Sequence, residues 1–295
     1  MATLSTSLLA AVVVLALLVS PIACSRKPRP KTKPISHRQA PLPARTSHKL
    51  TTATNSSPST YYGSDSWLSG AGATYYDTPN GDGGEGGACG YQTAVGKQSF
   101  NSMIAVESAL LYRGGEACDA CYEVKCTSNA ACSSKPVTIV ITDLSPGGLF
   151  HREVAHFDMS GTVMGTMAKP DMGDKVRAGG VVRIQYRRVP CKYPGVNVAF
   201  KVDQGANPFY FNVLIEFEDA DGNLNTVDLM LADNREWTPM AHNWGATWCL
   251  NNGRRLRAPF GLRLTSDSGR VLAPNNAIPV AWKLGKTYCS LVNYP

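Results

Sequence analysis

The sequence has no apolar run long enough to cross a membrane. Its longest apolar run, LLAAVVVLALLV at residues 8–19, has 12 residues and falls well short of the ~20 residues that a transmembrane helix needs. Small residues follow it in the stretch SPIACS, close to Ala23 and Cys24. This order is typical of a secretory signal peptide, although no Lys or Arg precedes the run. We therefore predict a signal peptide at residues 1–24 and a secreted, soluble protein.

Acidic residues are missing from the beginning of the chain, where none occurs before Asp65. The net charge is +7, but eight basic residues fall within residues 25–50, namely Arg26, Lys27, Arg29, Lys31, Lys33, Arg38, Arg45 and Lys49. Removing these eight from the 29 basic residues leaves 21 against 22 acidic ones, so the rest of the chain is almost neutral. Such a balance in a secreted chain argues against nucleic acid as a partner.

Residues 25–60 are rich in Pro, Ser, Thr and basic residues, and we interpret them as a disordered leader. Its charge would also suit adhesion to an acidic polysaccharide, which is the alternative interpretation. The sequence Asn55-Ser56-Ser57 is the only N-glycosylation sequon in the chain. Because it lies in this leader, we expect Asn55 to be glycosylated.

The chain contains nine cysteines, and all but Cys24 lie beyond the predicted signal peptide. The remaining eight are an even number in a secreted chain, which favours disulfide bonds. Four of them occur in CDACYEVKCTSNAAC at residues 118–132, a spacing that would also suit zinc. An oxidising compartment favours disulfides, so we predict no metal site and no cofactor.

The pattern of apolar residues divides the chain after the leader into two regions. From Cys89 to Cys191 short β-rich runs predict a small β-barrel; they are CYEVKC, PVTIVITD and GGVVRIQYRRVPC. Apolar residues at helical spacing predict one helix at residues 99–111, and a second short helix is predicted after Ser160. Beyond a break at residues 192–197, five runs predict the strands of a β-sandwich; they are VAFKV, YFNVLIEFED, TVDLML, FGLRLTS and RVLAP.

Seven short motifs follow one another along the chain: GGACGY (86–91), CYEVKC (121–126), ITD (141–143), HFDMSG (156–161), AKP (168–170), RRVPCKYPG (187–195) and GLRLTSDSG (261–269). Together and in this order they resemble the plant β-expansins, which include the group-1 grass-pollen allergens. The chain resembles this family over residues 66–295. The resemblance implies a mainly β protein with two domains. A six-stranded double-psi β-barrel like that of family-45 endoglucanases would occupy residues 61–196, and an immunoglobulin-like β-sandwich that binds carbohydrate would occupy residues 197–295.

The resemblance also implies a groove with two carboxylates on the barrel. Asp158 takes the position of the general acid in the related glycosidases, and Asp143 resembles the second groove carboxylate. The family is regarded as lacking the catalytic base and as not hydrolysing its glucans. The residues themselves leave structural alternatives open: Asp158 or Ser160 would cap the following helix, and Asp143 would be a turn residue.

Further binding residues follow from the same resemblance, namely Thr74, Tyr75, Tyr76 and Lys169 in the groove and Tyr210 and Trp244 on the sandwich. Alternation along a strand predicts that only one of Tyr75 and Tyr76 reaches the groove. Two departures from the family bear on specificity: Tyr75 stands where the family usually has Trp, and Gly84 where it often has Asp. We interpret His156 and Phe157 as packing residues, and Trp237 and Trp248 as core.

The resemblance implies three disulfides, Cys89–Cys118, Cys121–Cys191 and Cys126–Cys132. Cys249 and Cys289 are the last two cysteines of the second region, and we expect them to pair with each other. The leading functional hypothesis is a monomeric, secreted wall-loosening protein that binds cellulose, arabinoxylan or other matrix glucans without hydrolysis. The alternatives are a weak endoglucanase with Asp158 as its acid, and a purely carbohydrate-binding surface protein.

Overall fold

The computed structural model describes Cys24 and residues 66–81, 84–145, 147 and 155–295. The rest of the predicted signal peptide, the predicted leader and the sequon at Asn55 lie outside the described residues.

Six strands of the first region close into a barrel. They are β1 (Leu68–Tyr76), β2 (Ile104–Glu107), β3 (Cys121–Cys126), β4 (Val137–Leu144), β5 (His156–Ser160) and β6 (Val182–Arg188). Around the barrel they run in the order β1-β5-β2-β4-β3-β6, and the β1–β5 and β2–β4 pairs are parallel. Alternate residues point inward and fill the core, as Ile139 and Ile141 do on β4 and Phe157 and Met159 on β5. The closed six-stranded barrel confirms the fold predicted for this region.

The helix predicted at residues 99–111 is wrong. Three of its apolar residues, Ile104, Ala105 and Val106, belong to β2, which lies between β4 and β5, and only one helical turn, α1 (Ala109–Tyr112), remains. Asn101 and Ser102 adopt positive φ angles of 50° and 58°, which are incompatible with a continuous helix. Because β2 has paired neighbours on both sides and all four of its residues are buried, tertiary packing overrides the local spacing.

The second predicted helix is present as α2 (Gly161–Thr166), and α3 (Gly173–Arg177) packs beside it. Ser160 caps α2, because its Oγ accepts a hydrogen bond from the Val163 amide at 3.1 Å. Asp158 is therefore not the cap.

Two 3-10 turns, Gln92–Gly96 and Arg113–Gly115, complete the helical elements that the structure describes. No helix in the described part of the chain has the length and apolar character that crossing a bilayer requires.

The second region is a sandwich of two sheets. Its strands are β7 (Ala199–Val202), β8 (Phe211–Glu216), β9 (Leu224–Met230), β10 (Trp237–Pro239), β11 (Ala241–Trp244), β12 (Thr247–Leu250), β13 (Gly261–Ser266), β14 (Val271–Leu272) and β15 (Thr287–Cys289). One sheet has the order β11-β12-β8-β7-β15 and the other β10-β9-β13-β14. Inward residues of both sheets form one core, in which the Phe211 and Phe260 rings lie 4.8 Å apart. This arrangement confirms the predicted β-sandwich.

Four disulfide bonds are formed by the described cysteines. Three of them are the pairs that the resemblance implies, Cys89–Cys118, Cys121–Cys191 and Cys126–Cys132. The expected Cys249–Cys289 bond is wrong, because Cys289 bonds to Cys24 and Cys249 is a free thiol. Strands β12 and β15 are separated by β8 and β7, so three strand spacings alone place Cys249 and Cys289 at least about 14 Å apart. A disulfide requires Cα atoms within about 7 Å.

The two domains are joined by a buried, largely apolar interface. The Phe100 ring of the barrel lies 5.0 Å from the Phe217 ring of the sandwich, within a third apolar cluster that both domains share. The turn between β11 and β12 reaches into the barrel, where the Ala246 amide donates a hydrogen bond to Cys89 O at 3.0 Å. A well-packed contact of this kind holds the domains in one relative orientation.

A buried carboxylate also joins the domains. Asp119, in the loop before β3, accepts hydrogen bonds from the Tyr193 hydroxyl and from the Glu218 amide of the sandwich. Burial raises the pKa of both Asp119 and Glu218, and the proximity of the two carboxyls raises that of Glu218 further. The interface therefore favours the protonated form of the carboxyl groups that it encloses.

Candidate functional site

A carboxylate, a hydroxyl and an imidazole meet where β1 pairs with β5. Thr74 lies opposite Asp158 in the register of these strands, and its Oγ1 donates to Asp158 Oδ1 at 2.7 Å. The same Oγ1 lies 3.0 Å from His156 Nε2. Because Thr74 has one hydroxyl proton and gives it to the ionised Asp158, His156 must donate through Nε2–H. The three side chains thus form a chain of hydrogen bonds that ends on Asp158.

Asp158 is partly buried, and burial raises its pKa above the ordinary value. The hydrogen bond from Thr74 and the charge of His156 act in the opposite direction. A carboxyl group whose pKa is raised in this way holds its proton to a higher pH than an exposed aspartate does, and it can donate that proton to an oxygen atom of a ligand.

Asp143 lies near the end of β4 and has a different environment. It pairs with Val106 of β2, as Asp158 does from the other side of that strand. Its Oδ1 accepts hydrogen bonds from the backbone amides of Ala88 at 2.6 Å and Leu144 at 2.7 Å. Asp143 therefore fixes the loop at residues 86–90 to the barrel, in addition to lying beside Asp158.

The two tyrosines of β1 point in opposite directions. Tyr75 is partly buried and packs against the barrel core, so the structure does not bring it to the carboxylates. Tyr76 is on the same face as Thr74, and its hydroxyl accepts a hydrogen bond from the Gly84 amide at 3.4 Å. Burial, with smaller contributions from Asp143 and Asp158, raises the pKa of Tyr76 to about 12. Tyr76 thus presents a neutral hydroxyl and a ring on the side of the strand that carries Thr74. Tyr75, which stands where the family usually has Trp, lies on the core side of the strand.

Lys169 is exposed and has a local partner. Its Nζ donates to Ala130 O at 2.8 Å, and its backbone amide donates to Ala131 O. These bonds attach the segment after α2 to the loop before Cys132. The structure therefore assigns Lys169 a contact outside the group formed by Thr74, His156 and Asp158.

Trp244 and Tyr210 lie on one face of the five-stranded sheet. On β8, Phe211 and Val213 point into the sandwich core, so Tyr210, Asn212 and Leu214 face the other way. Leu214 pairs with Thr247, which in turn pairs with Trp244. The Trp244 side chain is 47% exposed, and Tyr210 is partly exposed. Trp248 is buried in the core, as predicted, whereas Trp237 is only partly buried and lies under the Arg263 guanidinium.

Trp244 also contacts the barrel, which connects the aromatic face to the groove. Gly90 has a φ of +88°, and a Cβ placed there would lie 2.8 Å from Cη2 of Trp244. Only a glycine allows the indole to approach the backbone this closely. The loop that Asp143 fixes is thus the loop against which Trp244 packs. The carboxylates and the aromatic face are therefore connected through this one loop.

The sequence interpretation missed two features of this surface. His156 is 1% exposed and was interpreted as packing, but it takes part in the hydrogen-bond chain to Asp158. The sequence does carry a signal for this contact: if HFD is interpreted as part of a strand, His156 and Asp158 lie on the same face, because residues two apart in a strand point the same way. The free thiol of Cys249 also lies next to Tyr210, whose pKa is raised by burial and, in addition, by the charge and hydrogen bond of Cys249. Among the described residues no group of His, Cys, Asp and Glu is arranged to hold a metal ion.

Comparison with known proteins identifies relatives for both domains. The profile of the Expansin C-terminal domain matches residues 198–279, and a double-psi barrel profile described as Lytic transglycolase matches residues 104–186. Rice Expansin-B11 is 62% identical over 97% of this chain and 97% of its own, and Arabidopsis thaliana Expansin-B4 is 41% identical over 76% and 86%. A crystal structure of a mutant Clavibacter michiganensis expansin in complex with cellohexaose has a TM-score of 0.58 at 18% identity. It covers 78% of this chain and 99% of the bacterial one.

Proposed function

The chain belongs to the β-expansin family, and from this premise we propose that it is a secreted plant protein that loosens cell walls without hydrolysis. It binds wall polysaccharides and disrupts the non-covalent contacts between cellulose microfibrils and matrix glucans. The observation that carries the proposal is the unequal state of the two groove carboxylates. Asp158 is poised to give a proton or a hydrogen bond, whereas Asp143 is engaged by two backbone amides.

Cleavage of a glycosidic bond by the usual two-carboxylate route needs an acid and a separate base or nucleophile. Asp158 has the environment of the acid, since its pKa is raised by burial. Asp143 already accepts two backbone hydrogen bonds through Oδ1, so its role is to hold the loop at residues 86–90. An acid without a matching base can polarise a glycosidic oxygen or a sugar hydroxyl but does not complete hydrolysis.

The aromatic face supplies binding that suits a long polymer. Trp244 and Tyr210 present exposed rings to the C–H faces of sugars, and each stack contributes about 1 kcal/mol. Several weak contacts in a row hold a polysaccharide while allowing it to shift along the surface. The bacterial expansin of the same fold was solved with cellohexaose, so the fold accommodates a linear glucan.

Secretion to the plant cell wall is part of the same proposal. It is supported by the apolar run before residue 24 and by four disulfides, which persist in oxidising compartments. The proposal includes the division of the chain into a signal peptide, a leader, a barrel domain and a sandwich domain at the boundaries predicted from the sequence.

A constant-load extension assay on heat-killed grass cell walls tests this function, with reducing-sugar release measured in parallel. We expect the wild-type protein to increase extension without releasing sugar. Sustained sugar release would instead support the alternative, a weak endoglucanase with Asp158 as its general acid. Binding to walls without any extension would indicate a carbohydrate-binding surface protein and contradict the proposal.

A further inference from the structure

A rigid, arginine-rich loop lies at one end of the aromatic face. Residues 251–260 connect β12 to β13, and we name the part at residues 251–257 the arginine loop. Leu256 is 5% exposed and packs in the sandwich core, so its neighbours Arg255 and Arg257 point to solvent. The Leu256 amide donates to Pro208 O at 2.7 Å, and Arg257 O accepts from the Ala232 amide at 3.0 Å. The backbone of the loop is therefore fixed at two points.

The guanidinium groups of the arginine loop are available to a ligand. Arg254, Arg255 and Arg257 are all exposed, and within the described part of the chain none of them forms an ion pair. The sequence contains no acidic residue from position 237 to position 266. Three positive charges thus occur close together without compensation from their own segment.

The loop next to it, at residues 232–236, brings charges of both signs. It is held there by the hydrogen bond from Ala232 to Arg257 O. It carries Arg235 together with Asp233 and Glu236, and all three are exposed. The surface formed by the two loops therefore keeps a positive balance, with four arginines against two carboxylates.

Exposed aromatic rings lie directly beside the arginine loop. Pro208, which accepts the Leu256 hydrogen bond, precedes Phe209 and Tyr210 in a tight turn closed by hydrogen bonds between Asn207 and Tyr210. Phe209 is 53% exposed, and Tyr210 belongs to the aromatic face described above. A sugar that stacks on these rings would lie next to Arg255 and Arg257.

We propose that the arginine loop binds the carboxylate groups of uronic-acid residues in acidic wall polysaccharides, and so extends the aromatic face. This inference rests on the proposed function and names a substrate class for it. A guanidinium group offers a planar pair of donors that matches a carboxylate in a two-point hydrogen bond. An adjacent aromatic ring covers the apolar face of the same sugar. The combination selects an anionic sugar over a neutral one.

The test measures binding of the full-length protein to two anionic polymers, glucuronate-substituted xylan and polygalacturonate, each beside its own carboxyl-reduced form. Arg255→Gln/Arg257→Gln removes the two guanidinium groups, while Arg270→Gln/Lys175→Gln makes the same change of charge elsewhere. Arg270 lies beyond the far end of β13, roughly 17 Å along the strand from its start near the loop, and Lys175 lies on α3 of the barrel. All four replaced side chains are exposed, so both variants are expected to fold like the wild type.

We expect the wild type to bind at least one anionic polymer about tenfold more tightly than its reduced form at low salt. The loop variant should lose that preference and keep its affinity for the reduced polymer, while the control variant keeps both. Arg255→Lys/Arg257→Lys, which retains the charge and loses the planar donors, should restore only part of the preference. Which polymer shows the effect distinguishes glucuronate from galacturonate as the source of the carboxylate.

A wild type without preference for either anionic polymer, or a loop variant that retains the preference, overturns the proposal. An equal loss in the loop and control variants also overturns it, because the effect would then reflect net charge alone. A loop-dependent preference in a protein that fails to extend cell walls would support the arginine site and contradict the proposed function. The two proposals can therefore fail separately.

Discussion

Asp143 and Asp158 flank the same residue, Val106, from opposite sides of β2. Their Cα atoms are therefore two strand spacings apart, about 9.6 Å. Both carboxylates lie in one row at the wall of the barrel, but their hydrogen-bond partners differ. Asp158 receives a side-chain hydroxyl, and Asp143 receives two backbone amides. The spacing resembles that of a two-carboxylate enzyme, but Asp143 is occupied in holding the loop at residues 86–90 to the barrel.

Replacing Asp158 with Asn should separate the chemistry of the groove from its stability. Asn keeps the size of the side chain and can still accept the Thr74 hydrogen bond, but it has no carboxyl proton to give. We expect wall extension to fall by roughly tenfold, because a charge-assisted hydrogen bond to the polymer is lost, with little change in Tm. Unchanged extension would assign Asp158 a purely structural role. Sugar release by the wild type that disappears in this variant would identify a glycosidase.

Removing either exposed ring should weaken binding to wall polysaccharide. Trp244→Ala and Tyr210→Ala each lose one stacking surface, so retention on insoluble glucan should fall by about fivefold in each variant. Trp237→Ala is the matched control, because Trp237 lies on the opposite sheet of the same domain. If the three variants lose binding equally, or if binding is unchanged while Tm falls sharply, the aromatic face is not the binding surface.

The tight turn that joins the domains should not tolerate a methyl group. A Cβ at Gly245, whose φ is +54°, would overlap Ala88 O of the barrel. Gly180→Ala is the control, since Gly180 has a φ of +63° and nothing within 4 Å of its Cβ position. Gly245→Ala should lower stability by about 2 kcal/mol more than Gly180→Ala in chemical unfolding. Equal effects would show that backbone strain, and not the domain contact, is responsible.

Stability should decline as the pH rises from about 4 to about 8. Burial raises the pKa of Glu216 to about 8, with Asp119 adding to the effect and Lys201 opposing it. Because the folded-state pKa of Glu216 exceeds the unfolded value of 4.5, protonated Glu216 favours the folded state. This contribution to the free energy of unfolding is fully present below pH 4.5 and is lost on approach to pH 8. Glu216→Gln removes this titration, so it should raise stability at pH 8 by at most about 4 kcal/mol and change little at pH 4.

Thermal unfolding across this pH range checks the expectation, with Asp233→Asn as the control at an exposed carboxylate. A wild-type Tm that is independent of pH, or one whose pH dependence survives in Glu216→Gln, would contradict the role assigned to Glu216.

The mature protein should retain Cys24. This residue is 4% exposed, its carbonyl accepts a hydrogen bond from the Asn197 amide at 2.6 Å, and it is bonded to Cys289. Signal-peptide removal is therefore expected at or before the Ala23–Cys24 bond, so the signal peptide should end by residue 23 and not at residue 24, where the sequence pattern predicts its end. Non-reducing peptide mapping should recover a Cys24–Cys289 peptide and a free thiol at Cys249. A mature chain that begins after Cys24 would contradict this, and Cys289 would then be free or paired elsewhere.

The features that sequence patterns predict well are those with a clear local composition and a single packing solution. The run VTIVITD is short, apolar and rich in β-branched residues, and the structure places it as β4, in which four consecutive residues, 139–142, are buried. The stretch at residues 99–111 has an equally clear local pattern, but β2 forms there because β4 and β5 pair with it on both sides. Strand pairing between distant segments is not encoded in local spacing, so the pattern alone could not distinguish the two outcomes.

In the candidate site, too, some features could be predicted from the sequence, whereas others depend on how distant segments pack. Asp158, Thr74 and Trp244 were predicted from the family resemblance; the structure pairs Thr74 with Asp158 and packs Trp244 on Gly90 of the barrel. The position of Tyr75 on the core side follows from alternation, which predicts that one tyrosine turns inward but not which one. The pairing of Cys249 with Cys289 was inferred by elimination. It failed because the order of strands in the sheet, which fixes their separation, becomes visible only in the fold.

The turn at residues 244–246, wedged against Gly90 and Cys89, fixes the separation between groove and aromatic face. A polysaccharide that spans both domains would meet two sites held at a fixed distance from each other. Once one site is occupied, the stiffness of the polymer sets the effective concentration of its next segment at the other site. A chain already held straight by its neighbours loses little conformational entropy on binding, whereas a coiled chain in solution must first be extended. On the proposed function, the junction between the domains would thus make affinity depend on the order of the polymer as well as on its sugars, and it would favour chains aligned on a fibril over the same chains in solution.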